Sequence, residues 1–282
     1  MVEILFSVAI MIIVLVAVAA ILSEISKIWT QRQAQIQRQQ NGRVLLDFIA
    51  RDIEKAMLPL SLSATNSLQF VVNSPMLSGS YGNRDNIFFQ APIAADQSAG
   101  EVAEVGYFVQ YPANGAPQLC RFFVGPTTTA SNNVTTTDTN YQIYSAPEAW
   151  ISPTLVGSAV PAVAATTGTN YASYKGLLAE DVAGLWISAF DGNGNFIGNP
   201  STRNSYDSRS TANLPAMVEI SLLVLDANTA RRLESGGASS SSALAGAVLS
   251  STSAAQCMTE LPAVLQQGAS CFTTEVWLRN TQ

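Results

Sequence analysis

The residue types that most often perform catalysis are scarce in this chain of 282 residues. It contains no histidine, which excludes Ser-His and Cys-His dyads as well as histidine-ligated zinc or haem. The sequence also lacks a Gly-x-Ser-x-Gly motif, a phosphate-binding glycine loop and a dinucleotide fingerprint. Two carboxylate pairs remain, Asp52 with Glu54 and Glu180 with Asp181, and nothing holds either pair at an acid/base spacing. We interpret them as solvated surface charge and expect no catalytic residues and no enzyme.

One segment places oxygen-bearing side chains at alternating positions, as the first half of a calcium loop does. These side chains are Asp191, Asn193 and Asn195, separated by two glycines. The sixth position of the loop is Phe196 where glycine is needed, and the twelfth is threonine where a glutamate is needed. We therefore expect a Gly-Asn hairpin turn between Phe190 and Phe196, with a calcium site as the alternative. No other metal or cofactor is expected.

An apolar run near the start of the chain is its most informative feature. From Ile4 to Leu22 the only polar residue is Ser7. As a helix this run is ~28 Å long, about the thickness of the bilayer hydrocarbon. A soluble core helix would show a polar stripe, and a secretory signal would have a shorter run followed by a cleavage site. The sequence therefore predicts a transmembrane segment over 4–22, with the carboxylate of Glu3 at its edge.

The helical pattern continues beyond the membrane segment. Apolar residues recur at three- and four-residue spacings through a Gln-rich stretch and on to residue 56, with no proline before Pro59. The repeating residues are Ile25, Ile28, Trp29, Ile36, Leu45, Phe48, Ile49, Ile53 and Ala56. This pattern predicts one helix from about residue 2 to residue 57, with a bend or local melting near Gly42.

The N-terminus resembles a known family. Val2-Glu3-Ile4-Leu5, the apolar run and the long amphipathic helix are similar to the mature N-terminus of type IV pilins and type II secretion pseudopilins, whose motif reads Phe-Thr-Leu-Val-Glu. The resemblance implies that Glu3 pairs with the terminal amine of a neighbouring subunit during filament assembly, and that the mature N-terminus is methylated. Met1 stands where the family has a basic leader, a glycine and Phe-Thr-Leu. We expect that the true start lies upstream or that the chain is trimmed.

Three later segments resemble the minor pseudopilin J and W-type minor pilin group. They run from Arg51 to Ala56, from Leu177 to Gly192 and from Leu214 to Ile220. The resemblance implies a structural subunit of a type IV pilus-like filament or a type II secretion pseudopilus, at or near its tip. It implies other pilin-like subunits, the inner membrane and the assembly machinery as partners. The alternative is a membrane-anchored extracytoplasmic binding or adhesion domain with no filament role, which would have no need of Glu3.

Charge excludes one class of partner and bears on orientation. A net charge of −6 and a pI near 4.7 argue against nucleic acid, which requires a basic face. Lys27, Arg32, Arg38 and Arg43 follow the membrane segment, and by the positive-inside rule they would place the rest of the chain in the cytoplasm. The family resemblance implies export. We favour a single-pass inner-membrane protein whose head lies in the periplasm or on the cell surface.

Three cysteines complete the set of reactive residues. In an exported protein, Cys257 and Cys271, fourteen residues apart, would be joined by a disulfide that contributes ~3 kcal/mol in the loop-entropy model. Two reduced buried thiols are the alternative. Cys120 lies in a strand pattern and is expected to be a small buried hydrophobic residue.

Beyond the long helix the sequence is mostly typical of strands. The predicted strands are 67–72, 86–90, 102–111, 119–124, 185–190, 217–225 and 272–278, with a hairpin turn over 111–117. Short helices are predicted over 175–181, 226–235 and 254–267, the last interrupted by Pro262. Loops are predicted over 127–139, 157–170 and 235–254, although 243–249 could be helical. The predicted fold is α+β and pilin-like, with a helical unit over 1–58 packed on an antiparallel β-rich head over 59–282.

Overall fold

The structure is a computed structural model of the whole chain. It describes residues 2–59, 68–74, 85–93, 102–111, 117–129, 135–137, 151, 176–199, 204–209, 213–235 and 238–279. The predicted loop over 157–170 and the tip of the predicted turn, 112–116, lie outside the described residues. The architecture is α+β, as predicted: one long N-terminal helix lies on antiparallel sheets.

The N-terminal helix, α1, runs from Val2 to Ile53 without interruption. It ends four residues earlier than predicted, and a turn follows in which the amide of Glu54 still donates to the carbonyl of Ala50. The local melting considered near Gly42 is wrong, because the helix is continuous through this residue. A Cβ at Gly42 would lie 2.4 Å from the ring of Phe272, so this glycine lets the helix approach the last strand of the head closely.

Six strands form the larger sheet, in the order β7-β4-β3-β2-β1-β9. Every neighbouring pair in it is antiparallel. The strands are β1 Phe70–Val72, β2 Asn86–Ala91, β3 Ala103–Gln110, β4 Gln118–Val124, β7 Gly176–Glu180 and β9 Tyr206–Asp207. The predicted hairpin is confirmed by the register of β3 with β4, which pairs Gln110 with Gln118.

Three strands form the second sheet, in the order β11-β10-β8. They are β8 Val182–Phe190, β10 Met217–Leu225 and β11 Ala269–Trp277, again antiparallel. The strand predicted over 217–225 has these same bounds, whereas β11 begins three residues before its prediction. A further ribbon pairs β5 Thr127–Thr129 with β6 Thr135–Thr137, inside the segment predicted as a loop, so that prediction is wrong at these two strands.

The helix predicted over 175–181 is wrong, because β7 occupies this segment. The central Leu-Leu-Ala of this segment has a good helix propensity. It forms a strand because its backbone can hydrogen-bond to the edge of β4, where Leu119 lies opposite Ala179. Gly176 and Asp181, both with positive φ, bracket the strand. The amide of Leu225 donates to the carbonyl of Asp181 at 2.8 Å, which holds the point where the chain passes from one sheet to the other.

Four short helices cover one face of the second sheet. They are α2 Ala227–Ser235, α3 Ala238–Ser250, α4 Ala254–Glu260 and α5 Ala263–Gln266. The first matches its prediction, and α4 and α5 divide at Pro262 as expected. The segment over 235–254 is helical for most of its length and not a loop, because Leu244 and Val248 are buried among the other helices.

The main core lies between α1 and the two sheets. Buried members come from each of these elements: Leu46, Ile49 and Ile53 from α1, Phe89, Val105 and Tyr107 from the larger sheet, and Ile187, Ile220 and Val276 from the smaller one. The outer face of the larger sheet carries a second cluster built around Phe88, Phe108 and Phe122. A third cluster, with Trp186 and Leu223, lies under the short helices. The last part of α1, from Leu45 to Ile53, is thus part of the head's core.

Candidate functional site: the N-terminal helix and its attachment to the head

The first half of α1 makes almost no contact with the rest of the described chain. Every side chain between Ile4 and Leu22 whose exposure the structure describes is exposed. Ile13 is 68% exposed and Val16 64%. Among the described residues, one helix, α1, is long and apolar enough to cross a membrane. The helix is therefore compatible with a single-pass anchor.

Glu3 lies in the first turn of this helix and its side chain is exposed. The positive end of the helix dipole favours a carboxylate at this position. Within the described residues no ion pair to Glu3 is formed, whereas Glu24 pairs with Lys27 at 3.5 Å further along α1. Glu3 is the one acidic residue between Val2 and Leu22.

The apolar stripe continues past the membrane-length run and stays exposed. Ile25, Ile28, Trp29 and Ile36 are 47%, 44%, 72% and 56% exposed. Their spacing predicted a buried face, but the head begins to cover the helix only further along, where Leu46, Ile49 and Ile53 are buried. The described part of the head therefore leaves these four side chains largely uncovered, although Ile28 lines a groove between α1 and the head.

A buried charged cluster joins the end of α1 to the larger sheet. The Nη2 and Nε atoms of Arg121, on β4, donate to Oδ2 of Asp52 at 2.6 and 3.1 Å. The hydroxyl of Tyr107, on β3, donates to the same carboxylate oxygen and accepts from Nε of Arg121 at 3.1 Å. We call Asp52, Tyr107 and Arg121 the anchor cluster.

Aromatic rings enclose the anchor cluster. The guanidinium carbon of Arg121 lies 4.6 Å from the centre of the Phe123 ring and 5.3 Å from that of Phe48, which gives cation–π contacts from both the sheet and α1. Burial, with a smaller contribution from the neighbouring Asp52 carboxylate, raises the pKa of Tyr107 well above its usual value although Arg121 opposes the shift. The phenol is therefore a hydrogen-bond donor at any physiological pH.

The anchor cluster corrects the interpretation of Asp52 as surface charge. Asp52 is 7% exposed and paired, whereas Glu54 is at the surface and lies 3.5 Å from Arg279. A signal for this was present in the sequence. Asp52 follows Phe48 by four residues and Leu45 by seven, so helical spacing places it on the apolar face. The other pair, Glu180 and Asp181, stands at the junction of β7 with β8, where neither carboxylate is held against the other in a described hydrogen bond.

The cysteines are all unbridged thiols in the structure. Cys120 is buried, as predicted, and burial raises its pKa to about 12. Cys257 is buried on α4 and Cys271 is exposed on β11. Cys271 stands opposite Leu223, whose side chain belongs to the same cluster as Cys257. Because directly paired residues of neighbouring strands point to one face, both thiols lie on the helix-covered side of the smaller sheet, and the bridge stays a prediction.

The segment considered as a calcium loop forms a hairpin turn. Phe190 and Phe196 are bridged across it, and Gly194 has a φ of +78°. Oδ1 of Asp191 accepts from the amides of Asn193 and Asn195 at 2.9 and 2.8 Å. These hydrogen bonds, with that from the Asn195 side chain, lower the pKa of Asp191. The predicted turn is confirmed, and among the described residues no group of three acidic, cysteine or histidine side chains is placed to hold a metal.

Comparison with solved structures gives a distant likeness, whereas the two comparisons of sequence give none. No protein-family model matches the sequence, and no characterised protein matches it. Among solved structures the chain is similar to a type IV-like pilin of Thermus thermophilus, at 13% sequence identity, with 88% of this chain and 97% of that chain covered. The TM-score is 0.35, which is too low to establish a common fold. The α+β assignment therefore rests on this chain's own helix and sheets.

Proposed function

We propose that this chain is a pilin-like structural subunit, a minor pilin or pseudopilin, that assembles through α1 into a type IV pilus-like filament or a type II secretion pseudopilus. The observation that supports this is the division of one unbroken helix. Its last part, from Leu45 to Ile53, belongs to the head's core, and its first part, over 4–22, is apolar and exposed. A helix of 52 residues is ~78 Å long, which is far more than the head needs.

The exposed half of α1 suits two environments in turn. Before assembly, the apolar run over 4–22 would lie in the inner membrane, with the head in the periplasm or at the cell surface. In a filament it would pack against the helices of other pilin-like subunits, delivered by the assembly machinery. The stripe of Ile25, Ile28, Trp29 and Ile36, exposed beyond the membrane-length run, would extend that helix contact toward the heads. A position at or near the tip and a methylated N-terminus complete the proposal.

Glu3 has a defined part in this function. A carboxylate inside an apolar bundle is strongly destabilising unless a cation accompanies it. The terminal amine of a neighbouring subunit would supply that cation, and the pair would form only in the correct axial register. A membrane-anchored binding or adhesion domain without a filament role, the alternative, gains nothing from a carboxylate at this position.

Replacement of Glu3 distinguishes a filament subunit from a plain membrane-anchored domain. In cells of the source organism, Glu3→Ala and Glu3→Leu should leave membrane fractionation of the chain unchanged, because the apolar run is intact. Co-purification with other pilin-like subunits should fall at least about tenfold, since loss of one partner of a buried ion pair costs several kcal/mol. Glu24→Ala is the matched control, an exposed acidic residue of the same helix, and should assemble normally. Undiminished co-purification of both Glu3 variants would favour the plain anchored domain.

A further inference from the structure

A groove between α1 and the start of α2 has the composition of an anion site. It encloses about 420 Å³. The charged and hydrogen-bonding residues that line it on the two elements include Arg32, Arg38, Asp226, Asn228, Thr229 and Arg232. We call it the arginine groove. It lies beyond the membrane-length part of α1, on the side of the helix that faces the head.

Arg38 gives the groove a buried donor that lacks an acceptor. Its side chain is 8% exposed, and among the described residues its Nε atom has no hydrogen-bond partner. Its described ion pair joins Nη1 to Oδ2 of Asp226 at 3.4 Å, longer than the usual charge-assisted bond of about 2.7–2.9 Å. A buried guanidinium whose described ion pair is this long is poorly compensated, and an anion in the groove would place further negative charge beside it. Because Nε is itself shielded from solvent, the anion would compensate the charge of the guanidinium without bonding this atom.

Hydrogen bonds within the head fix Asp226 and the first turn of α2, which line the groove opposite Arg38, in the absence of a ligand. Oδ1 of Asp226 caps α2 by accepting from the amide of Thr229 at 2.7 Å. The amide of Asp226 donates to the carbonyl of Gly268 at 2.8 Å. A Cβ at Gly268 would lie 1.8 Å from Oγ1 of Thr229, so the chain before β11 packs directly against the first turn of α2. The N-terminal end of this nine-residue helix adds positive potential to the groove.

The formal charge of the residues that line the groove indicates which ligand it would bind. Three arginines and one aspartate in the groove leave a formal charge of +2, which a doubly charged phosphate group neutralises and a single carboxylate does not. The guanidinium group also matches phosphate geometry through paired N–H donors. Glu180 and Asp181 line a neighbouring groove on which Arg38 also borders, and they disfavour spread of the anion in that direction. We propose that the arginine groove binds a phosphate group, held by Arg32, Arg38 and Arg232.

The distance along α1 favours a soluble phosphate over a lipid headgroup. Polar headgroups extend only ~5–8 Å beyond the hydrocarbon core. Arg32 and Arg38 follow Leu22 by ten and sixteen residues, which is ~15 and ~24 Å along a helix. Lys27, at ~8 Å, is the basic residue that a headgroup would reach. The ligand is therefore inorganic phosphate or the phosphate group of a soluble molecule.

Thermal unfolding of the full chain in neutral detergent, with inorganic phosphate as the probe, tests the site. Two double variants remove the same charge from the same two helices. The first combines Arg32→Gln with Arg232→Gln and removes the exposed arginines that line the groove. The second combines Arg43→Gln with Arg231→Gln and removes exposed arginines that do not line it. Arg38 is left in place in both because its burial makes its removal a threat to folding. Chloride at equal ionic strength is the reference, since phosphate also stabilises proteins without binding them.

We expect phosphate to raise the melting temperature of the native chain and of the Arg43/Arg231 variant by at least about 2 °C relative to chloride. The Arg32/Arg232 variant should lose this rise. A phosphate titration by calorimetry should show at least about tenfold weaker binding for the Arg32/Arg232 variant than for its control, since two charge-assisted contacts are removed. Equal shifts in the two double variants, or none in the native chain, would overturn the proposal.

The source of the phosphate is tested in lipid. The native chain is reconstituted in nanodiscs of phosphatidylcholine and of phosphatidylglycerol, and the calorimetric titration is repeated in each. We expect the same phosphate affinity in both, because the groove stands beyond the headgroups. If phosphate binding were lost in phosphatidylglycerol nanodiscs but kept in phosphatidylcholine nanodiscs, the assignment to a soluble phosphate would be wrong. The ligand of the groove would then be an anionic lipid.

Discussion

At the scale of single residues, the anchor cluster determines how α1 sits on the head. Asp52 comes from the helix, and Tyr107 and Arg121 come from adjacent strands. Each of the three is hydrogen-bonded to the other two, and all three side chains are buried. Such a cluster adds little net stability over an apolar substitute, but a single missing partner is costly. Its main effect is to specify one rotation and one axial position for the helix.

Single and double replacements within the anchor cluster should therefore differ in their effect on the free energy of unfolding. We expect Asp52→Leu to lower the free energy of unfolding by about 3–5 kcal/mol, because Arg121 is left buried and unpaired. The double variant Asp52→Leu with Arg121→Met should recover most of this loss. Urea unfolding in detergent measures both. The surface pair Glu54 and Arg279 is the control, and its disruption should cost about 1 kcal/mol or less. A loss at Asp52 no larger than at Glu54 would contradict the assigned role.

The cysteines provide a second prediction at this scale. In protein made in the cytosol, we expect a thiol reagent to modify Cys271 and to spare Cys120 and Cys257 until the chain unfolds, because only Cys271 is exposed. Partial burial of its sulfur nevertheless raises the pKa of Cys271, so its reaction should speed up as the pH rises above the ordinary thiol range. In exported protein, Cys257 and Cys271 should be joined. Mass spectrometry after alkylation reads out both states, and two free thiols in exported protein would refute the bridge.

At the scale of elements, glycine has opposite roles in two helices. In α1, the missing side chain of Gly42 makes room for the ring of Phe272. In α3, a Cβ at Gly246 would meet nothing within 4 Å. Helix propensity favours alanine over glycine equally at the two positions. Only the contact between elements distinguishes them, and at Gly42 it accompanies a helix that runs without interruption through a position where the sequence alone suggested weakness.

Alanine at the two glycines should accordingly change stability in opposite directions. We expect Gly246→Ala to raise the free energy of unfolding by about 0.5–1 kcal/mol, and Gly42→Ala to lower it by about 1–3 kcal/mol because Phe272 must move. Chemical denaturation of both variants makes the comparison. Combining Gly42→Ala with Phe272→Ala should remove the clash and reduce the difference. An equal gain at both glycines would show that the contact with β11 does not restrain the helix.

At the scale of the whole molecule, one core joins the end of α1, from Leu45 to Ile53, to both sheets. The first half contributes nothing to that core among the described residues. The free energy of folding of the head should therefore be independent of the membrane part, whereas the end of α1 is indispensable to it. This division is what the proposed function requires, since the head must fold whether its anchor lies in lipid or among neighbouring helices.

Truncation tests this division directly. Removing residues 1–24 should leave a soluble, folded monomer, because Leu46, Ile49, Ile53 and the anchor cluster are retained. Removing residues 1–54 should leave an aggregating head, since Arg121 then loses its carboxylate and the main core loses one wall. Circular dichroism and light scattering after gel filtration distinguish the outcomes. Aggregation of the shorter truncation would mean that the head depends on the membrane part.

The amino-acid sequence by itself determined the features that depend on near neighbours in the chain. The apolar run, the long helix, the strands around Phe88, Phe108 and Phe122 and the turn after Phe190 are all local patterns of period, polarity and turn chemistry. Only the tertiary structure decided the strand at 176–180, the burial of Asp52, the close approach at Gly42 and the convergence of three arginines on one groove. The partners in those cases lie tens to about two hundred residues away, so their free energy is set by packing between elements and leaves little trace in local sequence.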